Sequence, residues 1–444
     1  MKLNTKRTFF VGLAFLSICA FWQMYDSVVP LILTKTFALD ETWSGAIMAA
    51  DNVLALFLLP LFGALSDRTD TRIGRRMPYI LGGTAAAVLL MNLLPILDNR
   101  YAAAPSTGTS VLFVVVLGLL LVAMGTYRSP AVALMPDVTP KPLRSKANAI
   151  INLMGAVGGI LYLGVAAVLY SSKRIAGLAH VDYTVLFAVV AGIMAVSVLA
   201  LFCTVREPKL AAENRAFEAE HPELNLAEDD GSGSEVLPKP VKKSLGFLLA
   251  SIALWFIGYN AVTTWFTTYI DQVMGEGLGG ASTCLLVATG GAIVSYIPIG
   301  ALAGKIGRRR TIQCGIILLA ACFALGGILT THSDHITIPM YLLFALVGLA
   351  WAAINVNSLP MVVEMCRESD VGKFTGYYYT FSMAAQVITP ILAGWVIGHI
   401  SYQLLFPYAA FFVACSFVTM LFVRHGDSKV AAKKGLAAYE DLDT

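Results

Sequence analysis

The chain has 444 residues, 57% of them hydrophobic and only 13% charged, with a formal net charge of +3. Ordinary soluble domains carry about 25% charged residues, so a water-soluble protein is excluded. A balance this close to neutral gives no basis for nucleic-acid binding. Apolar runs of about 20 residues, enough to cross a hydrocarbon core of ~30 Å as helix, recur along the whole length. In chain order they cover residues 9–34, 42–64, 78–97, 110–136, 146–170, 184–204, 245–270, 281–303, 311–331, 340–365, 375–400 and 403–423. A helix satisfies its own backbone hydrogen bonds in lipid and an open strand does not, so the spans predict an all-α membrane protein with twelve transmembrane helices.

The first span follows Lys2, Lys6 and Arg7 and passes the small residues Cys19 and Ala20, which is the outline of a cleaved leader. Its apolar run continues to Leu33, so the span is expected to be retained. Basic residues favour the cytoplasmic side. With both termini placed there, only Lys35, Arg100, Lys173 and Arg174 of the 31 lysines and arginines fall on the other side, and Arg128 lies inside a span. The expected location is therefore the cell membrane, multi-pass, with cytoplasmic ends. Seven cysteines, mostly within apolar spans, show neither paired spacing nor a C-x-x-C metal pattern. No cofactor or metal is expected.

The segment Arg206–Lys243 is the longest polar stretch between spans, and its charges, prolines and Gly-Ser run predict a solvated linker. The predicted organisation is a first six-helix bundle over 1–205, a linker over 206–244, a second six-helix bundle over 245–424 and a tail over 425–444. The halves echo each other. "GALSDRTDTRIGRR" after the second span returns, shortened, as "GALAGKIGRRR" after the eighth, pairing Gly63 with Gly300 and Ile73-Gly74-Arg75-Arg76 with Ile306-Gly307-Arg308-Arg309. Pro130 and Pro360 continue the register. Two repeated six-helix halves are an architecture of secondary transporters.

With these motifs the sequence resembles the major facilitator superfamily, whose loop signature is a glycine, an aspartate one turn later and a Gly-Arg-Arg/Lys cluster. The resemblance extends over all twelve spans and implies a two-bundle transporter fold. It also implies a cytoplasmic gate built from Asp67, Arg68, Arg72, Arg75, Arg76, Arg308 and Arg309. Asp67 could face a helix N-terminus, whose partial positive charge favours an anion. The second copy has Gly304 where Asp67 stands, so the latch is asymmetric. Asp137 and Glu364 end their spans at the same boundary and are expected as gate or loop anchors near Arg144 and Arg367. The longer pattern D-R-T-x-T-R-x-G-R-R, with "YRSPAVALMPDVTPKPLRSKANAIINLMGAVGG" at Tyr127–Gly159, resembles the glycoside-pentoside-hexuronide cation symporters and the sucrose-proton symporters. That likeness implies import of a sugar or glycoside with a cation.

Charges at membrane depth cost at least ~2.5 to 3.5 kcal/mol each on insertion scales, so they mark a pathway or coupling site. Asp26, Asp51 and Arg128 lie well inside spans and sum to one negative charge. A carboxylate that dries out or meets an arginine can exchange a proton. Asp51 and Asp26 are therefore the candidate proton-coupling residues, with a static ion cluster as the alternative. Melibiose-type sodium symporters carry two carboxylates on the turns before the proline matching Pro60. This chain has Ala55 and Leu59 there, which removes the oxygen ligands sodium needs. Sucrose carriers place an arginine two residues after the proline of the fourth span, where Val132 stands. Arg128 is one turn earlier on the same face, and its planar fork can bond vicinal hydroxyls or a carboxylate.

Amides and aromatics complete the expected sugar site, since hydroxyls need amide partners and the apolar faces of sugars stack on rings. The substrate-binding candidates are Arg128, Gln23, Tyr127, Asn152, Tyr259, Asn260, Trp265, Asn355 and Gln386. Each neutral member also fits an interhelical hydrogen bond. Neither G-x-x-x-x-G-K-[ST] nor H-E-x-x-H occurs, so an enzyme or ATP-driven pump is not expected. The expected function is proton symport of a sugar, probed against a sodium-coupled symporter, a drug-proton antiporter and a transporter-fold receptor. Expected partners are the sugar, protons and the bilayer, with the chain as a monomer.

Overall fold

The structure is a computed structural model that describes residues 3–140, 143–220, 238–365 and 371–427. Every predicted span folds as a helix long and apolar enough to cross a membrane, twelve in all among the described residues. In the first half these are α1 (Thr5–Leu31), α2 (Glu41–Arg68), α3 (Met77–Ala103), α4 (Thr107–Asp137), α5 (Arg144–Leu169) and α7 (Thr184–Thr204). A four-residue turn, α6 (Ser172–Ile175), lies between α5 and α7. The second half contains α9 (Lys239–Met274), α10 (Gly277–Ile306), α11 (Arg308–His332), α12 (Ile338–Val363), α13 (Val371–His399) and α14 (Leu405–Leu421).

Helix ends follow local chemistry. The Asn4 side chain accepts from the Arg7 N–H at 3.1 Å and starts α1. Ser106 does the same for α4 through Thr109, at 3.2 Å. Past Pro30, α1 continues as a π-helical turn over Ile32–Thr36, with the Phe37 N–H donating to the Ile32 carbonyl. Gly275 in the left-handed region (φ 65°) stops α9.

The part of the linker that is described departs from the solvated reading. Glu207–Glu220 forms a helix, α8, with Glu207, Ala211 and Asn214 buried. The Asn214 amide donates to the carbonyls of Pro136 (3.4 Å) and Asp137 (3.3 Å), docking α8 on the end of α4. Linker residues 221–237, tail residues 428–444 and Arg367 lie outside the described residues.

The described residues divide into two compact units, 3–40 with 50–140 and 143–220, and 41–49 with 238–365 and 371–427. Within the first unit α1 packs on α5 and α7, and α3 on α4 and α7. Within the second α9 packs on α13 and α14, and α11 on α12 and α14. The same pairings thus recur in each half. Large apolar side chains such as Phe57, Leu89, Val196 and Val294 stand exposed along the spans, an exposure a chain in water would not tolerate on this scale.

Small residues let helices approach closely. A Cβ on Gly348 of α12 would stand 1.9 Å from the Ala288 carbonyl oxygen and 2.7 Å from the Ala292 nitrogen, both in the α10 backbone. Among the described residues, nothing lies within 4 Å of the corresponding position at Gly118 of α4. Gly348→Leu is therefore expected to destabilise by more than the about 1–3 kcal/mol usual for overpacking. Gly118→Leu should leave the protein near wild type. Thermal unfolding of the two purified variants measures the difference, and equal melting temperatures would refute the assigned close approach.

Candidate functional site

The charged loop between α2 and α3 is built around one glycine and one carboxylate. Gly74 has φ 118°, a conformation side chains disfavour, and the Glu207 carboxylate lies where its Cβ would be, 2.2 Å from that point. Glu207 Oε1 accepts from the N–H groups of Arg75 (2.7 Å) and Arg76 (2.9 Å), and Oε2 from Met77 (2.9 Å). These N–H groups open α3 and have no helical partner, so an anion there satisfies both their hydrogen bonds and the helix dipole. The carboxylate on this helix N-terminus is therefore Glu207, which corrects the expectation placed on Asp67.

Asp67 accepts from Arg76 Nη2. The Arg76 guanidinium is buried and joins three helix ends. Its Nε donates to Asp137 Oδ2 at 2.8 Å and its Nη1 to Ser66 Oγ at 2.5 Å and the Gly63 carbonyl at 3.4 Å. Burial alone would weaken its proton affinity, but the carboxylates of Asp137 and Asp67 outweigh it and raise the pKa above the ordinary arginine value. Arg75 adds a second contact to Asp137 at 3.5 Å. Asp137 thus anchors Arg76 and Arg75, while Arg144 donates to the carbonyls of Thr139 and Pro136. Arg68 and Arg72 are exposed and, among the described residues, enter no ion pair, so they stand outside the clamp.

The second unit repeats this construction. Gly307 has φ 94°, and the Asp427 carboxylate lies 2.7 Å from its Cβ position. Asp427 Oδ1 accepts the Arg309 N–H at 3.0 Å at the start of α11. Arg308 Nη1 donates to Glu364 Oε2 at 2.7 Å, the counterpart of Arg75 and Asp137. With Gly304 in place of Asp67, Arg309 Nη2 donates instead to the Leu421 carbonyl at 2.9 Å. Glu207 and Asp427 were the residues sequence reasoning missed. Their signal was the recurrence of Val205-Arg206-Glu207 as Val423-Arg424 with an acid at Asp427.

Deeper in the first unit, α1, α2 and α4 bring the intramembrane charges together. Asp51 lies within Coulombic reach of Arg128, and Asp26 within that of Asp51. Asn52 Nδ2 donates to Asp51 Oδ1 at 2.8 Å. The Arg128 guanidinium stands 5.7 Å from the centre of the Trp22 ring, a cation–π distance. Trp22, one turn before Asp26, is a member of this cluster that sequence reasoning passed over. Trp22 Nε1 and the Tyr25 hydroxyl are buried polar atoms with no hydrogen-bond partner among the described residues. Gln23 is half-buried, and Gly159 of α5 leaves room for its amide oxygen, 3.8 Å from the glycine Cβ position.

The second unit presents a flat aromatic pair. Tyr259 and Trp351 stack with centroids 3.6 Å apart and planes 4° from parallel. Asn260 Nδ2 and Asn355 Oδ1 are buried without hydrogen-bond partners among the described residues. Gln386 is half-buried and Asn152, in the first unit, is buried.

Two expected site residues lie in helix packing. Tyr127 is fully buried, its hydroxyl donating to the Ala14 carbonyl at 2.9 Å and meeting the Ser17 hydroxyl, so it ties α4 to α1. Trp265 is fully buried and its Nε1 donates to the Pro390 carbonyl at 3.1 Å, tying α9 to α13. Their polar atoms are committed to neighbouring helices, which leaves them nothing to offer a ligand.

Comparison with known proteins adds to this geometry. A sucrose transport protein of Arabidopsis thaliana, SUC3, is 28% identical over 152 residues, covering 32% of this chain and 25% of that protein. An uncharacterized protein of Bacillus subtilis, YqgE, is 29% identical over 195 residues, 43% of this chain and 44% of that one. The chain thus spans less than half the length of the curated relatives it matches. The inward open structure of the xylose transporter XylE from E. coli superposes with a TM-score of 0.65 at 15% identity, covering 99% of this chain and 98% of that one. At that identity the likeness is one of fold. The sequence profile of the Major Facilitator Superfamily matches residues 11–297 and 279–438. With that match, twelve membrane helices and two repeated six-helix halves, the chain belongs to the major facilitator superfamily, a family of secondary transporters and not of enzymes.

Proposed function

We propose that the protein imports a sugar or glycoside, most simply a disaccharide, together with a proton by alternating access. The observation that carries this reading is the grouping of Asp26, Asp51 and Arg128 within the spans of one unit. One guanidinium neutralises one carboxylate, and the remaining charge, expensive in lipid, is removed by one proton. Asp51 takes the coupling role, Asp26 is its partner, and Asn52 steadies the ionised form of Asp51. Sodium is disfavoured because Ala55 and Leu59 offer no oxygen ligands where melibiose-type carriers have carboxylates.

Sugar recognition draws on chemistry present in both units. Arg128, Gln23 and Asn152 supply donors in the first unit. In the second, the Tyr259–Trp351 stack supplies an apolar platform, and Asn260, Asn355 and Gln386 supply amides. The named activity of the Arabidopsis relative makes sucrose the first sugar to try. The loop clusters of Arg76, Asp67 and Asp137 and of Arg308, Arg309 and Glu364 serve as the gate, in a monomer of the cell membrane with cytoplasmic termini.

The deciding experiment is uptake of labelled sucrose, maltose, melibiose and lactose by proteoliposomes under separate proton and sodium gradients. Proton-driven uptake of one of them is the expected result. Uptake that follows sodium and ignores protons overturns the coupling assignment, and no sugar uptake under either gradient overturns the substrate class.

Arg128→Lys keeps the charge and loses the planar fork. If Arg128 clamps the sugar, affinity falls by the about 1.5–3 kcal/mol of a charged hydrogen bond, roughly ten- to 150-fold. Calorimetric titration with whichever sugar of that panel is taken up reads this directly. Unchanged affinity would assign Arg128 to a structural ion pair.

A further inference from the structure

At the end of the first unit away from the Gly63–Arg76 loop, Asp98 of α3 is completely buried, with 0% exposure. Its two carboxylate oxygens are sealed from solvent and lack a well-formed hydrogen bond among the described residues, although the Thr36 hydroxyl lies near. The facing basic group is His180, in the connection between α5 and α7, whose Nε2 stands 3.6 Å from Asp98 Oδ2.

The neighbouring Asn99 fixes how His180 is protonated. Asn99 Nδ2 donates to Asp182 Oδ1 at 2.8 Å and to Thr184 Oγ1 at 3.2 Å. Its Oδ1 therefore faces His180 Nε2, at 2.8 Å. An amide oxygen only accepts, so Nε2 carries the hydrogen. Asp182 is the second acid of the cluster. Burial pushes its carboxyl up, but hydrogen bonds from Asn99 and Thr184 outweigh this and hold it below the ordinary carboxylate value, so it stays charged at neutral pH. The Tyr170 hydroxyl fastens the same stretch by donating to the Asp182 carbonyl at 2.9 Å. The other charged groups on the surrounding segments, Lys35, Asp40, Arg100, Lys173 and Arg174, are exposed.

With Asp182 charged, an ionised Asp98 beside a neutral His180 would place a second negative charge in a fully buried position. One proton removes that charge, whether it sits on the carboxyl or makes the ring an imidazolium. We propose that Asp98 and His180 share one proton that clasps the Ser171–Tyr183 connection onto the end of α3, and that the clasp opens when this proton is lost. The sign follows from linkage. Released into water, the histidine titrates at about 6.5 and the aspartate at about 3.9. Below about pH 6.5 open and closed forms both hold the proton and closure is favoured in full. Above it only the closed form retains the proton, so the closed-to-open ratio falls about tenfold per pH unit until the clasped pair itself deprotonates.

The proposal is independent of any transported substrate, and its test needs none. Hydrogen exchange of residues 171–183 in the purified full-length protein, corrected for the intrinsic pH dependence of exchange, should speed up about fivefold between pH 6.5 and 7.5. Asp98→Asn supplies a neutral acceptor, so exchange should be slow and lose its pH step. His180→Gln leaves Asp98 without its partner, so exchange should be fast at both pH values. Asp182→Asn should keep the step. A wild-type protein without the step overturns the proposal, as does an Asp98→Asn variant that retains it. Should Asp98→Asn fail to fold, a His180→Gln protein that keeps the wild-type step overturns it equally.

Discussion

Asp51→Asn is expected to abolish accumulation of sugar against a gradient while leaving exchange of internal for external sugar. A membrane potential of 100 mV supplies about 2.3 kcal/mol per charge moved, which for one proton per sugar supports roughly fifty-fold accumulation. An asparagine at 51 keeps the size and a hydrogen-bonding group beside Asn52 but cannot change charge, so the ratio should collapse to about one. Counterflow needs no net proton movement and should survive. Asp26→Asn serves as the contrast. Loss of accumulation in Asp26→Asn alone, with Asp51→Asn still concentrating sugar, would move the coupling role from one carboxylate to the other.

Removing the Arg76 guanidinium should have the largest effect on stability of any single charge. Its Nε, Nη1 and Nη2 hold Asp137, Ser66 and Asp67, and the side chain is buried. Arg76→Met takes from Asp137 its 2.8 Å partner and leaves the more distant Arg75, at 3.5 Å. Breaking a buried pair from one side typically costs about 3–5 kcal/mol, much of it from the stranded charge. Arg76→Met with Asp137→Asn should recover part of that loss, since no carboxylate is then stranded at the end of α4. Thermal unfolding of the single and double variants reads both effects. A double variant no more stable than the single one would show that the cost lies in lost packing.

The twelve helices were legible because a bilayer imposes a minimum apolar length, and the two halves because Ile-Gly-Arg-Arg recurs after the second and eighth spans. Asp26, Asp51 and Arg128 stood out for the same reason, charge being rare at membrane depth. Rotational position within a bundle leaves no comparable mark. Tyr127 and Trp351 are both aromatics on membrane helices, yet Tyr127 is committed to α1 and Trp351 is stacked on Tyr259. Glu207 was hidden by its neighbours: among the charges of a polar stretch, the buried acid has the same letter as the solvated ones. Asp98 fell one residue past the predicted end of the third span, at 97, where a charge reads as a boundary rather than as an interior group.

The caps supplied by Glu207 and Asp427 set an order of events during synthesis. The first turn of α3 has its N–H groups satisfied by a residue about 130 positions later in the chain. At about 5–20 residues per second, the ribosome reaches it roughly 7–27 seconds after Gly74. Until then the third helix sits with a bare positive end, and the first half closes on itself only when its sixth membrane helix has emerged. The second half repeats the delay between Gly307 and Asp427, so the nascent protein passes through two successive intervals in which most of a bundle is inserted but its charged loop remains unsealed.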